Sequence, residues 1–240
     1  MLLDRISNRF QLRLKDRANA GSILGEALKD IIKNERERTE NTIVLGIPRG
    51  GVVVADIVAK KLHCEFDIII PRKLRAPHNE EVAIGAVMED GYTYLNEEII
   101  RELDIPMEYI EKEKSYQIQE IKCRVALYRS NIGNLALTSL RSNIKDKDNM
   151  ILVDDGAATG ATIIAAARWI KRNYNPKRLI ICVPIVPKQT RYLLKNESNY
   201  VETITVPSDS SFRSVGQYYQ NFQPVEDKQV VEIMRNAIRP

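Results

Sequence analysis

The 240-residue chain is 44% apolar and 28% charged, and its 36 basic and 32 acidic residues give a formal net charge of +4. This composition is typical of an ordinary globular protein, and the length suits one α/β domain with a small appended lobe. The basic residues do not gather in a run, which argues against nucleic acid as the main partner. The small excess of basic residues would instead favour a small polyanion as the ligand.

Cysteine usage and apolar runs limit the location of the protein. Cys64, Cys123 and Cys182 lie far apart and show no CxxC or Cys/His ligand spacing, so neither a disulfide framework nor a structural zinc site is expected, and a reducing cytoplasm fits best. The longest apolar stretches, such as 179–187, are far shorter than the roughly 20 residues that span a bilayer. No signal peptide is apparent at the amino terminus, and we expect a cytoplasmic protein without a membrane partner.

Apolar periodicity in the first part of the chain predicts two helices that alternate with two strands. The run "TIVLG", stopped by Pro48 and two glycines, is typical of a buried parallel strand. The predicted elements are a helix at 18–34, a strand at 42–46, a helix at 52–62 and a strand at 66–70. The last three together form a βαβ unit.

The middle of the chain departs from that alternation. Asp90-Gly91 lies between two extended runs, which is a strong hairpin signal. Asn96 is a suitable N-cap for a short helix, and Pro106 suits the first turn of a long charged helix over 107–129. This long helix offers a reasonable surface for a homodimer.

Strands and helices alternate again toward the C-terminus. The predicted strands lie at 150–154, 179–184 and 200–206, and the predicted helices lie at 162–173, 188–195 and 227–236. The pattern predicts an α/β fold with a mostly parallel central sheet covered by helices on both faces. Ligands of such sheets bind beyond the carboxyl ends of the strands. The candidate functional loops are therefore 47–51, 71–81 and 154–162.

The loop that begins at Asp154 combines two features that oppose each other electrostatically. In "ILVDDGAATGAT", Asp154 and Asp155 end a strand, and the small residues after them open a helix whose free N–H groups can hold a phosphate. Ionised carboxylates only accept hydrogen bonds and repel phosphate, but a vicinal diol donates to them. A phosphorylated ribose satisfies both halves of the loop. The alternative is a turn-capping pair beside a simple connection.

The same stretch closely resembles the phosphoribosyl-pyrophosphate (PRPP) signature of type I phosphoribosyltransferases. The resemblance implies a five-stranded, mostly parallel sheet with a small hood, and it places Asp154 and Asp155 on the ribose hydroxyls. The 5′-phosphate is then bound by the loop that follows, which comprises Gly156, Ala157, Ala158, Thr159, Gly160, Ala161 and Thr162. The resemblance also implies Mg²⁺ as the cofactor, held near Asp154 and Asp155 directly or through water.

Two further stretches resemble the diphosphate site of this family. "GIPRGGVVVA" at 46–55 is similar to the loop whose amides and basic residue face the leaving diphosphate, and that loop often contains a cis peptide. "IIIPRKLRAP" at 68–77 is similar to the segment whose lysine reaches the diphosphate from the base of a mobile loop. The implied residues are Arg49, Gly50, Gly51, Arg72 and Lys73. Arg49, Lys73 and Asp155 form the implied catalytic set. Without the resemblance, basic residues in such turns are usually solvated.

The acceptor is not specified by these motifs. Hypoxanthine/guanine-type members carry an aspartate at the fifth position of the motif, where this chain has Ala158, so a purine activated by that carboxylate is not expected. Glu80 or Glu81 could serve as the base instead, although such acids more often lie on the surface as solvated groups.

The hood is predicted from the amino-terminal segment together with 207–240. Its aromatic residues are Phe212, Tyr218 and Tyr219. They could stack on a flat acceptor, although we expect at least two of the three to pack within the hood. Residues 10–236 as a whole resemble a prokaryotic branch of predicted phosphoribosyltransferases whose acceptor is unassigned. We therefore expect a single domain over 1–240, with its core at about 40–206 and a hairpin and long-helix insertion at about 82–130.

The leading expectation is Mg²⁺-dependent transfer of 5-phosphoribose from PRPP to a small nitrogen acceptor, such as a nucleobase, with release of pyrophosphate. The alternative is a non-catalytic PRPP sensor, which usually adds a DNA-binding segment or loses basic residues. No helix-turn-helix is evident in the sequence, and Arg49 and Lys73 are present. A pyrophosphokinase that makes PRPP is disfavoured, because it normally carries a second copy of the domain and this sequence has no internal repeat.

Overall fold

The structure is a computed structural model that describes residues 13–32, 40–129 and 144–237. The strands are β1 (Thr42–Gly46), β2 (Glu65–Ile68), β3 (Arg72–Ala76), β4 (Asn79–Val87), β5 (Thr93–Leu95), β6 (Asn149–Val153), β7 (Arg178–Cys182) and β8 (Tyr200–Glu202). The helices are α1 (Arg17–Ile32), α2 (Gly50–Leu62), α3 (Glu97–Glu102), α4 (Met107–Arg129), α5 (Ala161–Tyr174), α6 (Lys188–Lys195), α7 (Asp227–Ala237) and a short 3₁₀ helix (Val215–Tyr218). Within the described residues, no helix combines the length and the hydropathy that crossing a bilayer requires.

Five parallel strands form the central sheet in the order β2-β1-β6-β7-β8. Every neighbouring pair is parallel, and Val44 of β1 lies beside Ile151 of β6. β1 and β6 are buried along their whole length, because helices cover both faces of a parallel sheet and leave neither face to water. The predicted α/β fold with a mostly parallel, five-stranded sheet is confirmed.

Alternate residues of the sheet point into two separate apolar clusters. Val44 and Ile151 belong to the cluster that includes α2, whereas Ile43 and Leu152 belong to the cluster that includes α5. Burial of each such side chain contributes roughly 1.5–3 kcal/mol. The carboxyl ends of β1 and β6 are thereby held side by side, and the loops that follow these two strands must meet.

A second, antiparallel sheet contains β3, β4 and β5, and it confirms the hairpin predicted at Asp90-Gly91. The expectation of a loop over 71–81 was wrong, because β3 and β4 pair through most of that segment. Leu74 and Ala76 are buried on β3, whereas Lys73, which directly precedes Leu74, is exposed. This two-residue alternation is a strand signal that the charged residues conceal in the sequence.

The two helices between β5 and β6 in the chain, α3 and α4, begin where the sequence predicts. The side chain of Asn96 accepts a hydrogen bond from the N–H of Ile99 at 3.2 Å, which confirms the predicted N-cap of α3. α4 begins directly after Pro106 and is described as far as Arg129. Its buried face includes Ile110 and Ile121, and this face packs α4 against β3 and α7.

The hood, as far as it is described, comprises residues 13–20 and 212–222. The N–H of Leu14 donates to the carbonyl of Tyr218 at 2.8 Å, and the N–H of Gln220 donates to the carbonyl of Leu14 at 2.8 Å. Tyr218 and Tyr219 are buried in a small cluster with Leu14. Two of the three hood aromatics therefore serve packing, as the sequence predicted.

Candidate active site

A cleft of about 760 Å³ opens where the carboxyl ends of β1 and β6 meet the hood and β3. Its lining has more basic than acidic side chains, which favours a polyanionic ligand. The basic residues are Arg17, Arg72, Lys73, Arg75, Arg124 and Arg213, and the acidic residues are Glu80, Asp154 and Asp155. The predicted 5′-phosphate loop lines the same cleft except for Ala161. The fold thus brings together three stretches that are far apart in the sequence.

Asp154 and Asp155 each have one carboxylate oxygen engaged by a protein donor. Oδ1 of Asp154 accepts a hydrogen bond from the backbone N–H of Asp155 at 2.8 Å. Oδ2 of Asp155 accepts a hydrogen bond from Nε of Arg17 at 2.6 Å. For the second oxygen of each acid, no N–H or hydroxyl donor is found among the residues that the structure describes. The two carboxyl groups are close enough to hydrogen-bond to each other when one of them is protonated. The pair therefore offers two acceptor oxygens, one on each acid.

The charge of Asp154 is poorly stabilised without a ligand. Burial raises the pKa of Asp154 well above 3.8, and the neighbouring charge of Asp155 raises it further. The charge of Lys73 acts in the opposite direction on Asp154. A ligand that brings hydroxyl donors or a cation would favour the ionised form of Asp154.

Arg17, the first residue of α1, is held on three sides. Besides the bond to Asp155, its Nη1 donates to the carbonyl of Gln223 at 2.7 Å. The central carbon of its guanidinium lies 3.8 Å from the centroid of the Phe222 ring, a cation–π contact. Its side chain is only 11% exposed. Arg17 therefore joins the hood to the acidic loop.

The predicted 5′-phosphate loop is fixed by contacts on its inner side. Gly160 is the N-cap of α5 with φ 75°, a conformation that glycine adopts without strain. The N–H of Ala157 donates to the carbonyl of Ile185 at 2.9 Å, and the Thr190 hydroxyl donates to the carbonyl of Ala158 at 2.6 Å. Among the described residues, no acceptor is found for five other amides of the loop, namely those of Gly156, Ala158, Thr159, Gly160 and Thr162.

The basic residues of β3 differ in how firmly they are held. Arg72 donates from Nε to Oε1 of Gln117 at 2.8 Å, and burial lowers the pKa of this guanidinium from its ordinary value. Arg75 donates to Oε2 of Glu80 at 2.7 Å. Lys73 is exposed in the cleft, and within the described part of the chain no ion pair of this lysine is found. Of the three basic side chains on β3, that of Lys73 can thus most readily contact a ligand.

Arg49 lies elsewhere than the sequence predicted. The Pro48–Arg49 peptide bond is cis, as the resemblance implies, and Pro48 lines the cleft. The Arg49 guanidinium, however, lies 3.9 Å from Oδ1 of Asp227 at the start of α7, and that carboxylate also accepts a hydrogen bond from the Tyr128 hydroxyl. The attraction of Asp227 directs the guanidinium toward the C-terminal helix rather than into the cleft.

Sequence reasoning missed four basic residues of the cleft, Arg17, Arg75, Arg124 and Arg213. Three of them are single basic residues in a helix or a polar loop. Arg75 lies on β3 within the segment that resembles the diphosphate site, where only Arg72 and Lys73 were assigned a role. Arg17 lies 138 positions before the aspartate that it contacts. The only sequence signal for Arg17 is the segment "DRANAGSILGEAL", which resembles the family but assigns no role to the arginine.

Comparison with known proteins identifies the family. The phosphoribosyl transferase domain family matches residues 11–93 and 78–221 of the chain. Two proteins from two strains of Mycobacterium tuberculosis, "Putative phosphoribosyl transferase MT0597" and "Putative phosphoribosyl transferase Rv0571c", are each 32% identical over 225 residues, which cover 93% of this chain and 47% of theirs. The chain thus spans about half the length of these curated relatives.

A solved structure and a regulator are also similar. The crystal structure of TT1426 from Thermus thermophilus is 34% identical with a TM-score of 0.68, and the match covers 93% of this chain and 98% of that one. The transcriptional regulator GfcR of Archaeoglobus fulgidus is 33% identical over 82 residues, which cover 34% of this chain and 36% of the regulator. On the evidence of the family match and of relatives that cover most of its length, the chain belongs to the phosphoribosyl transferase domain family.

Proposed function

We propose that the protein is a phosphoribosyltransferase that moves 5-phosphoribose from PRPP to a nitrogen acceptor and releases pyrophosphate. The observation that carries the proposal is the arrangement after β6. Two acceptor oxygens there directly precede a loop at a helix N-terminus, and several amides of this loop have no acceptor among the described residues. A ligand that has a diol at one end and a phosphate at the other matches both features. Family membership supports the same class of reaction.

In this proposal the ribose end of PRPP binds to β6 and α5. The two hydroxyls of the diol donate to Oδ2 of Asp154 and to Oδ1 of Asp155. The 5′-phosphate binds to the loop 156–162, with hydroxyl donors from Thr159 and Thr162. The N-terminus of a helix favours such a group by about 0.3–1 kcal/mol at an exposed site, and the amides add directed hydrogen bonds.

The diphosphate end is assigned to β3 and the start of α2. Lys73 is the principal cation, and Arg72 together with the amides of Gly50 and Gly51 completes the proposed site. Arg49 can contribute only after its guanidinium leaves Asp227. That step is easy, because an ion pair at 3.9 Å between partly exposed side chains typically contributes less than about 1 kcal/mol.

The reaction breaks the bond between ribose C1 and a diphosphate oxygen, forms a bond between C1 and the acceptor nitrogen, and releases the proton of that nitrogen to solvent. The electron pair of the broken bond leaves with the diphosphate, and C1 is oxocarbenium-like between the two events. The main tasks of the protein are therefore to align the partners and to stabilise the leaving charge. Lys73 performs the second task, and the acids hold the ribose. The hairpin of β3 and β4 shields C1 from water.

Mg²⁺ is the proposed cofactor. Within residues 13–32, 40–129 and 144–237, no cluster of three or more His, Cys, Asp or Glu side chains that could hold a metal is found. The donor set nevertheless fits Mg²⁺, because this ion is usually bound by one or two carboxylates together with substrate phosphates and water. Asp154 and Asp155 would hold it directly or through water. When bound, it would supply Lewis-acid chemistry that reduces the charge on the leaving diphosphate.

The proposed acceptor is a nucleobase or a similar planar nitrogen compound. Ala158 is exposed on the phosphate loop and brings no carboxylate to the position that hypoxanthine/guanine-type members use. Glu80 lines the cleft, but its carboxylate accepts a hydrogen bond from Arg75, so it can act as a base only after leaving that partner. The side chain of Glu81 lies outside the described residues.

A PRPP-sensing regulator is the second candidate, because a named transcriptional regulator matches about a third of the chain. The release of pyrophosphate separates the two candidates. A mixture of the protein, Mg²⁺, PRPP and one nucleobase from a panel should release pyrophosphate, and calorimetry should show PRPP binding in parallel. Binding without turnover on any base would favour the sensor, and failure to bind PRPP would contradict both.

We also propose a homodimer built through α4. Tyr116 and Leu127 are large hydrophobic side chains that are 56% and 41% exposed. They lie eleven positions apart (127 − 116 = 11), so at about 100° per residue they share one face of the helix, and tyrosine is enriched at protein interfaces. Sedimentation velocity should show a dimer for the wild type and a monomer for Tyr116→Glu. A wild-type monomer at all concentrations would contradict this part of the proposal.

A further inference from the structure

We infer that Arg17 is a positioning residue for ribose recognition: it holds one oxygen of Asp155 so that only the other is left for the ribose diol. The inference rests on the proposed function, because it concerns the ligand assigned to the acidic pair. It assigns a role in ligand binding to a residue of the hood that belongs to none of the motifs of the site.

The contact between Arg17 and Asp155 has the geometry of a strong, directed interaction. Nε and Oδ2 are 2.6 Å apart, and the two side chains are only 11% and 16% exposed. Hydrogen bonds between two charged groups are shorter and roughly twice as strong as neutral ones, and low exposure protects this one from water and salt. The bond therefore fixes the rotation of the Asp155 carboxylate.

Two further contacts restrict the same aspartate. The backbone of Gly50 passes so close to Oδ2 that a Cβ there would lie 1.8 Å from it. The hydroxyl of Tyr219 donates to the backbone carbonyl of Asp155 at 2.8 Å. Asp155 is thus held through its backbone and through one carboxylate oxygen. An acid that could otherwise accept from several directions becomes an acceptor with one remaining oxygen.

The arginine is itself immobilised by the hood. Nη1 binds the carbonyl of Gln223 at 2.7 Å, and the guanidinium covers one face of Phe222, whose ring also stacks on Tyr219 at 4.8 Å between centroids. A planar guanidinium can make these contacts and the bond to Asp155 together, whereas the ammonium of a lysine is a point donor that cannot. The alignment of Asp155 therefore depends on an ordered hood.

The test compares three ligands that share different parts of PRPP. Calorimetry in Mg²⁺ buffer measures the binding of PRPP, ribose 5-phosphate and inorganic pyrophosphate to the wild type and to Arg17→Ala. We expect Arg17→Ala to weaken PRPP and ribose 5-phosphate by about 10- to 100-fold, the loss typical of removing a residue that orients a ligand-binding side chain. Pyrophosphate has no diol, and its affinity should not change.

Two more variants keep the test decisive. Arg17→Lys retains the charge but not the three contacts, so it should restore only part of the lost affinity, and it replaces the alanine variant if that variant does not fold. Arg13→Ala removes an exposed arginine of the same segment that does not line the described cleft, and it should bind all three ligands like the wild type.

Each other outcome overturns the inference in a distinct way. Equal weakening of all three ligands would mean that Arg17 supports the whole cleft or contacts phosphate itself. Unchanged binding of PRPP by Arg17→Ala would mean that Asp155 needs no orienting partner. Failure of the wild type to bind PRPP would overturn the proposed function, and the inference with it, whereas the first two outcomes leave the proposed function intact.

Discussion

Gly50 and Asp155 approach each other so closely that no side chain fits between them. A Cβ on Gly50 would lie 1.8 Å from Oδ2 of Asp155 and 2.8 Å from Nε of Arg17. The closeness follows from the sheet, because β1 and β6 are neighbours with Gly46 beside Val153, so that α2 and the acidic loop start side by side. Gly50 therefore shapes the ribose end of the cleft, whatever its amide binds.

Gly50→Ala should consequently weaken PRPP binding by displacing the Asp155 carboxylate from its partner Arg17. The added methyl group also overpacks a well-filled region, which typically costs about 1–3 kcal/mol of stability. We expect at least about a tenfold loss of affinity, the effect of a 1.4 kcal/mol change in binding free energy. Calorimetry with PRPP and thermal unfolding check the two parts separately.

Gly25→Ala is the matched control for this variant. A Cβ on Gly25 would lie 3.0 Å from Cβ of Lys61, so α1 and α2 would have to shift slightly to make room. This tight contact lies between two helices and outside the lining of the cleft. The control therefore overpacks the protein without displacing Asp155, and it should bind PRPP like the wild type. Wild-type PRPP affinity in Gly50→Ala would show that the close approach has no functional role.

The acidic pair provides the most direct test of the site. Asp154→Asn combined with Asp155→Asn should abolish PRPP binding, because the amide groups present donors where the diol needs acceptors and remove the charge that attracts Mg²⁺. The fold should remain, since asparagine has nearly the same shape and can still accept at Oδ1. Calorimetry and circular dichroism measure the two outcomes. Unchanged PRPP affinity in the double variant would disprove the assignment of the site.

Asp154→Asn alone should stabilise the protein when ligand and metal are absent. The pKa of Asp154 is raised in the folded state above its ordinary value of 3.8, so folding favours the protonated carboxyl. This contribution to stability is complete below about pH 4 and is lost as the pH rises through the raised pKa. The asparagine variant avoids that loss, and its melting temperature should exceed that of the wild type near pH 7 but not near pH 4.

The difference in melting temperature between variant and wild type is the useful measurement, because other groups titrate in both proteins. Each 1 kcal/mol gained in the free energy of unfolding raises the melting temperature by roughly 2–4 °C for a chain of about this size. Asp146→Asn, at an exposed position outside the cleft, is the control for the substitution itself. A gain that is the same at both pH values would point to a cause other than the ionisation of Asp154.

The parts of the site that the sequence predicted are those that lie within one contiguous strand–loop–helix unit. Asp154 and Asp155 follow the apolar run of β6, and small residues lead into α5, so local sequence order alone fixes their proximity. The sheet was predictable for the same reason, since its three central strands, β1, β6 and β7, are mostly apolar runs. β3 was missed because only two of its five residues, Leu74 and Ala76, are apolar and buried.

Contacts between distant segments could not be predicted. Arg17 meets Asp155 only because residues 13–20 pair with the 3₁₀ helix and the loop after it, and no local pattern encodes that pairing. Arg49 was placed in the correct loop, but the direction of its side chain is determined by Asp227, 178 positions later (227 − 49 = 178). Sequence order locates a backbone element, whereas the partner of a long side chain depends on the assembled fold.

Lys73→Ala should give the ligand pattern opposite to that of Arg17→Ala. We expect weaker binding of PRPP and pyrophosphate and unchanged binding of ribose 5-phosphate, because Lys73 is assigned to the diphosphate alone. Loss of a hydrogen bond to a charged group typically costs about 1.5–3 kcal/mol, or roughly 10- to 150-fold in affinity. Calorimetry with the three ligands measures the pattern, and the loss should shrink at high salt because the ammonium is exposed and screened.

The backbone of Lys73 is fixed by the pairing of β3 with β4, where it lies beside Ala86, so the alanine variant should melt like the wild type. Lys60→Ala is the matched control, since its ammonium lies on α2, is 63% exposed and pairs with Asp56. Unchanged pyrophosphate affinity in Lys73→Ala would remove this lysine from the diphosphate site. Equal loss of ribose 5-phosphate would instead mean that Lys73 acts mainly through the acidic pair, because its charge also lowers the pKa of Asp154.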